Sequence, residues 1–332
     1  MKLSIGIVGL PNVGKSTLFK AITKNEVNIA NYPFCTIDPN VGVVAVPDER
    51  LDKLAAMSKS EKKVPAVVEF YDIAGLVRGA NKGEGLGNQF LSHIRETQAI
   101  VQVLRCFSSS DIIHVENSVD PIRDMDIINT ELALKDLDTI EKVWKKTEGE
   151  AKSGKKEAQK DLEVLQKAKE KLEKSELLLE LKNEPLIKHL QPLTSKAQIY
   201  LLNGKPEDVP PALIEKIKKA GADYVVVDLN NPDGALQELI KKSYVVLNLI
   251  SFLTTGEKES RAWTIEKGWK APQAAGAIHG DFEKKFIRAE VIGTDALLKV
   301  GSWSAARSKG LLRVEGKDYV VADGDVMVIR HG

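Results

Sequence analysis

The chain has 332 residues, 43% of them hydrophobic, with 48 Lys and Arg against 47 Asp and Glu for a formal net charge of +1. That length exceeds a single typical domain of roughly 100 to 200 residues, and the charge balance excludes a molecule that meets nucleic acid over its whole surface, so any basic face is local. Two cysteines, Cys35 and Cys106, are too few for a disulfide framework or a zinc site, and no apolar run reaches the roughly 18 residues of a membrane span; a cytoplasmic protein without a membrane partner is expected.

In chain order, residues 3–8 form a short β-branched apolar run that breaks at Gly9 and leads into a helical stretch over Lys15–Thr23, a strand, glycine loop and helix. Further strands are expected at 41–46, 66–71, 99–106, 198–202 and 224–229, separated by helical segments. This alternation predicts an α/β fold with a mostly parallel, doubly wound sheet. Residues 126–182 differ: Lys, Glu, Leu and Ala dominate, proline is absent, and glycine occurs only at Gly149 and Gly154. Leu134, Leu137, Ile140 and Trp144, then Ala158, Leu162, Leu165 and Leu172, recur at helical spacing and predict two long helices that meet near 149–154 as an antiparallel coiled-coil hairpin. Its tip carries Lys145, Lys146, Lys152, Lys155, Lys156 and Lys160, which is either solvated surface or a site for phosphate-rich RNA. From about residue 248, short apolar runs at 286–292 and 326–329 between glycine and charged turns indicate a small separate α+β domain.

Gly9-Leu10-Pro11-Asn12-Val13-Gly14-Lys15-Ser16-Thr17 has P-loop spacing in the required strand-to-helix context. Backbone donors of Gly9, Asn12, Val13, Gly14, Lys15, Ser16 and Thr17 are expected to surround a polyphosphate, with a favourable helix dipole behind them. Lys15 is expected to reach the β- and γ-phosphates. Ser16, Thr36 in the loop 31–36, and Asp72 at the end of the strand 66–71 are the expected Mg²⁺ ligands, and the Gly75 amide the γ-phosphate sensor. The next residue is Leu76, where Ras-like GTPases place a glutamine that orients water, and leucine cannot do so. His114, in the loop 108–114, is the candidate to take that role; its other reading is a bystander. Lys15, Gly75 and His114 are thus the expected catalytic set, and Asn12 carries an expectation of K⁺ recruitment.

The run from Asp72-Ile73-Ala74-Gly75 through Gly83-Glu84-Gly85-Leu86-Gly87-Asn88-Gln89-Phe90-Leu91 resembles the switch II of Obg-related GTPases. Val103-Leu104-Arg105-Cys106-Phe107, the segment 111–114, Arg261-Ala262-Trp263-Thr264-Ile265 and Ala271-Pro272-Gln273-Ala274-Ala275-Gly276 narrow the resemblance to the YchF or Obg-like ATPase branch, over nearly the whole chain. The resemblance implies an Obg-type G domain over 1–247, interrupted by the helical hairpin at 126–185, and a β-grasp TGS domain over 248–332. It implies Mg²⁺-dependent ATP hydrolysis through His114 and a nucleotide-dependent switch in translation or stress response. The implied partner is the ribosome, through its large subunit, with RNA contact by the hairpin tip and TGS domain. The alternatives are a GTP-selective GTPase and an RNA- or ribosome-binding adaptor with little hydrolysis of its own. Guanine readers carry Asn-Lys-x-Asp after a late strand, and the family pattern resembles Asn-x-x-Glu. Here the strand 198–202 leads into Asn203-Gly204-Lys205-Pro206-Glu207-Asp208, with the glutamate one place late; Asn203 and Gly204 are the expected base contacts. The connection over 228–244 is shorter than in other members.

Overall fold

The computed structural model describes residues 4–24, 27, 40–73, 86–109, 114, 118–232 and 234–332. The first half of the chain runs β1 (Ser4–Val8), α1 (Lys15–Thr23), β2 (Val41–Ala45), α2 (Glu49–Ser58), β3 (Lys62–Val64), β4 (Val67–Asp72), α3 (Leu86–Glu96) and β5 (Ala99–Arg105). It continues through α4 (Pro121–Lys152), α5 (Lys156–Leu172), α6 (Pro185–Leu190), β6 (Ala197–Asn203), α7 (Pro211–Lys219), β7 (Asp223–Val227) and α8 (Ala235–Val246). One sheet has the order β2-β4-β1-β5-β6-β7. β1 pairs in parallel with β4 and β5, and β5 to β7 continue in parallel. β1 and β5 are buried at every position, as central strands covered on both faces must be, and their apolar runs follow from that. The crossovers put the ends of β1, β4, β5 and β6 at the same edge of the sheet, where doubly wound folds bind ligands.

The two long helices differ from the expected span of 126–182 at both ends. α4 begins at Pro121 because the Asp120 carboxylate accepts the N–H groups of Ile122 and Arg123, and proline suits the first helical position. α5 ends at Leu172, and Ser175 then turns through a φ of 56°, so residues 173–182 form a turn with a short 3-10 segment at Leu179–Leu181. Ile140, Leu165, Ala168, Leu172, Leu178 and Ile187 form a shared core, with Leu137, Trp144 and Leu162 packed against it. Asp136 anchors α4 to the entry of β6: its carboxylate accepts Leu193 N–H at 2.9 Å, Thr194 N–H at 2.8 Å and the Thr194 hydroxyl at 2.6 Å.

The remainder runs β8 (Leu249–Thr255), β9 (Glu259–Glu266), α9 (Ala271–Ile278), α10 (Gly280–Lys284), β10 (Phe286–Gly293), α11 (Thr294–Val300), α12 (Trp303–Ser308), β11 (Arg313–Glu315) and β12 (Asp325–His331). A second sheet has the order β11-β10-β12-β8-β9-β3. Phe252, Ile265, Ala274, Val291 and Met327 form its core beneath α9. β3, which lies between α2 and β4 in the chain, pairs in parallel with β9 at this sheet's edge. α2 lies with it: the Thr255 hydroxyl donates to Ser58 Oγ at 2.8 Å, Ser60 Oγ is 2.8 Å from Ser260 Oγ, and Arg50 bonds Asp323 at 2.7 Å. Accordingly the chain divides into two compact units, Met1–Lys24, Thr36–Gly42 and Glu69–Leu239 in one, Asn25–Cys35, Val43–Val68 and Ile240–Gly332 in the other.

Candidate functional site

The loop after β1 is built by two backbone demands. Asn12 takes a φ of 62° and Gly14 a φ of 109°, a region that favours glycine. A Cβ at Gly14 would also lie 2.6 Å from Asn203 Nδ2 and 2.9 Å from Leu229 Cδ1. Gly14 caps α1 and, having no side chain, offers no acceptor to the first N–H groups of that helix. Lys15 is buried and folds back to donate to the Leu10 carbonyl at 2.8 Å. Burial pulls its ammonium down to about 8, and the Asp72 carboxylate opposes that shift. Asp72, at the end of β4, is raised by desolvation and lowered by Lys15, so the two groups lie within electrostatic reach. Ser16 and Thr17 are exposed at the first turn of α1.

Asn203 ends β6 and is 4% exposed. Its amide donates to the Val13 carbonyl at 2.9 Å and its Oδ1 accepts Leu229 N–H at 3.4 Å, while its own carbonyl accepts Cys106 N–H at 2.8 Å. One side chain therefore joins the P-loop to the ends of β6 and β7. Gly204 N–H donates to the Val227 carbonyl at 3.0 Å. Beyond it, Asp208 accepts Lys205 N–H at 2.9 Å, closing a 3-10 turn at Pro206–Asp208 on which Glu207 is exposed.

These elements enclose a cleft of about 450 Å³, lined by Asn12, Gly14 and Thr17 from the P-loop, Phe107 and Ser109 after β5, and Asn203, Leu229 and Asn230 at the ends of β6 and β7. Sequence reasoning missed Arg105, the largest fully buried side chain among the described residues. Its guanidinium donates to the carbonyls of Phe107 at 3.1 Å and Ser109 at 3.4 Å and stands 4.6 Å from the Phe107 ring centroid, shaping one wall of the cleft. The signal was available: an arginine that ends a strand whose other residues, Gln102 apart, are apolar must be buried with partners. Thr36 and Gly75 lie outside the described residues. Lys15, Ser16, Asp72 and His114 are not among the residues that line this cleft; His114 is 4% exposed and its Nε2 lies 2.8 Å from Oδ2 of Asp124 on α4.

No group of three or more His, Cys, Asp and Glu that could hold a metal occurs among the described residues. Ser16 and Asp72 nevertheless suit Mg²⁺, a hard cation usually held by one or two protein oxygens together with substrate phosphates. No helix among the described residues is long and apolar enough to cross a membrane.

Residues 4–203 match a family model described as a 50S ribosome-binding GTPase, and residues 249–332 match the YchF-GTPase C-terminal family, described as a protein of unknown function. The chain is 46% identical to the Ribosome-binding ATPase YchF of Bacillus subtilis (strain 168), covering 99% of both chains. It is 45% identical to the protein of the same name from Escherichia coli O157:H7, covering 98% of both. That first alignment runs over 363 positions for a chain of 332 residues, so the B. subtilis relative carries segments that this chain lacks. Among solved structures it is similar to the Schizosaccharomyces pombe YchF GTPase, with a TM-score of 0.83 and 38% identity over 99% of this chain and 98% of that one. With a P-loop cleft at the edge of the first sheet and relatives that match from end to end, the chain belongs to the YchF family of P-loop nucleoside triphosphate hydrolases.

Proposed function

We propose that the chain is a ribosome-binding ATPase that hydrolyses ATP with Mg²⁺ and works as a nucleotide-dependent switch. The observation that carries the choice of nucleotide is the turn after Asn203. The place three residues on, where a guanine reader needs a carboxylate, is Pro206; the Asp208 carboxylate is engaged by Lys205 N–H, and Glu207 is exposed. Among the described residues of this turn no carboxylate stands where a guanine reader needs one, whereas Leu229 and Phe107 offer apolar cover to a purine.

In this reading the backbone from Gly9 to Thr17 cradles the phosphates, and Lys15 leaves the Leu10 carbonyl to meet them. Ser16, Thr36 and Asp72 hold Mg²⁺, which neutralises charge on the phosphates. Gly75 senses the γ-phosphate, and His114 orients the attacking water in place of the missing glutamine. Asn203 and Gly204 set the base side of the cleft, and Asn12 is the residue for K⁺. The hairpin tip, with exposed Lys145, Lys146, Lys152, Lys155, Lys156 and Lys160, and residues 248–332 as a TGS domain supply the RNA contacts on the large ribosomal subunit, in the cytoplasm.

Competition of ATP and GTP, each with Mg²⁺, against a fluorescent nucleotide on nucleotide-free protein tests the assignment. ATP is expected to win by at least tenfold, about 1.4 kcal/mol; GTP winning would overturn it. Co-sedimentation with large ribosomal subunits is expected to differ between an ATP analogue and ADP, and equal binding would refute the switch.

A further inference from the structure

The two purines share an acceptor at N7 and differ at position six, where adenine carries a donating amino group and guanine an accepting carbonyl. Asn203 presents the cleft with a donor only. Its Nδ2 is held by the Val13 carbonyl at 2.9 Å and its Oδ1 by Leu229 N–H at 3.4 Å, so the buried amide cannot turn over without losing both bonds, and one N–H is left to offer. A lone donor serves N7 of either purine equally and gives the amino group of adenine no partner. A second carboxamide stands in the same cleft, on Asn230 just beyond the end of β7. Its backbone is fixed: Asn230 N–H donates to Asp228 Oδ1 at 3.0 Å, Asn231 N–H donates to the Asp228 carbonyl at 2.9 Å, and the preceding Leu229 is tied to Asn203. The Asn230 side chain is exposed and makes no hydrogen bond among the described residues, so its Oδ1 and its Nδ2 are both available to a ligand.

We propose that Asn230 reads the six-position of the bound purine, its Oδ1 accepting a hydrogen from the amino group of adenine. The assignment rests on the reading of the cleft as a nucleotide site, and it names the side chain by which that site tells adenine from guanine. A carboxamide does this incompletely, because it also turns its Nδ2 to a guanine carbonyl; a carboxylate at the same place accepts only. The preference for ATP is therefore set in part at residue 230, and it is adjustable there.

Competition against a fluorescent nucleotide on the nucleotide-free full chain tests this with three Mg²⁺-nucleotides: ATP, GTP and purine riboside triphosphate, which has no group at position six. Asn230 is exposed and its φ is not positive, so exchanges there leave the fold intact. Asn230→Ala is expected to weaken ATP binding at least threefold and to leave purine riboside triphosphate unchanged. Asn230→Asp is expected to raise the ratio of ATP to GTP affinity at least fivefold over that of the unmodified chain, a ratio in which any general repulsion between the new charge and the phosphates cancels. An equal loss for all three nucleotides in Asn230→Ala, or an unmoved ratio in Asn230→Asp, would overturn the assignment. GTP outcompeting ATP on the unmodified chain overturns the ATP reading instead, and the ratio in Asn230→Asp still decides the role of residue 230.

Discussion

At the scale of single residues, the P-loop depends on a contact that the motif itself does not contain. Gly14 combines a φ of 109° with an approach that would bring a Cβ within 2.6 Å of the Asn203 amide. Gly14→Ala is expected to cost about 1–3 kcal/mol of stability and to weaken nucleotide binding at least tenfold, measured by urea denaturation and calorimetric titration. A second prediction concerns Cys106, whose thiol is pushed up to about 12, first by burial and then by the Asp208 and Asp124 carboxylates. Between about pH 8.5, where an unfolded thiol ionises, and pH 12 the native chain keeps a proton that the unfolded chain releases. Its contribution to stability therefore falls as pH rises through that window. Iodoacetamide at pH 9 is expected to spare Cys106 in the folded protein and to label it once urea unfolds the chain, as read by peptide mass mapping. The P-loop spacing was legible because glycine, lysine and hydroxyl residues are each demanded by phosphate chemistry. The position of Asn203 was not, since a sequence does not distinguish an amide that faces a ligand from one that bonds the Val13 carbonyl.

At the scale of elements, the hairpin is held by a few buried points along faces that are mostly polar. Asp136→Ala is expected to cost about 2–4 kcal/mol in urea denaturation, because it strands the buried N–H groups of Leu193 and Thr194. Leu165, fully buried between α4 and α5, is expected to cost about 2–5 kcal/mol on truncation to alanine. The hairpin's apolar stripe was readable from its period. Its start is carried by Asp120 and Pro121, an N-cap followed by proline, ahead of the charged composition that begins at 126. Asp124 and Asp136 were invisible as buried anchors: a lone aspartate among lysines and glutamates on a long helix looks like solvated surface, and only the packing of α4 against its neighbours shows which face it occupies.

At the scale of the whole molecule, the alternation of strands and helices announced a mostly parallel, doubly wound sheet, because parallel neighbours need crossovers of this kind, while its strand order came only with the structure. The second sheet was readable only in part. Lys62-Lys63-Val64 is too short and too charged to announce a strand, and its partner β9 follows almost two hundred residues later in the chain. Arg50 reinforces that pairing through Asp323 at 2.7 Å, in a partly exposed geometry. Arg50→Ala is accordingly expected to lower stability by no more than about 1 kcal/mol, as measured by urea denaturation. The insertion of α2 and β3 has a consequence for how the protein can be divided or exchanged. A fragment cut at residue 249, where the C-terminal family match begins, would leave β9 as an unprotected edge strand, the setting for aggregation. Recombination at that point would likewise deliver a sheet without its sixth strand, so the two sheets are bound to be inherited together.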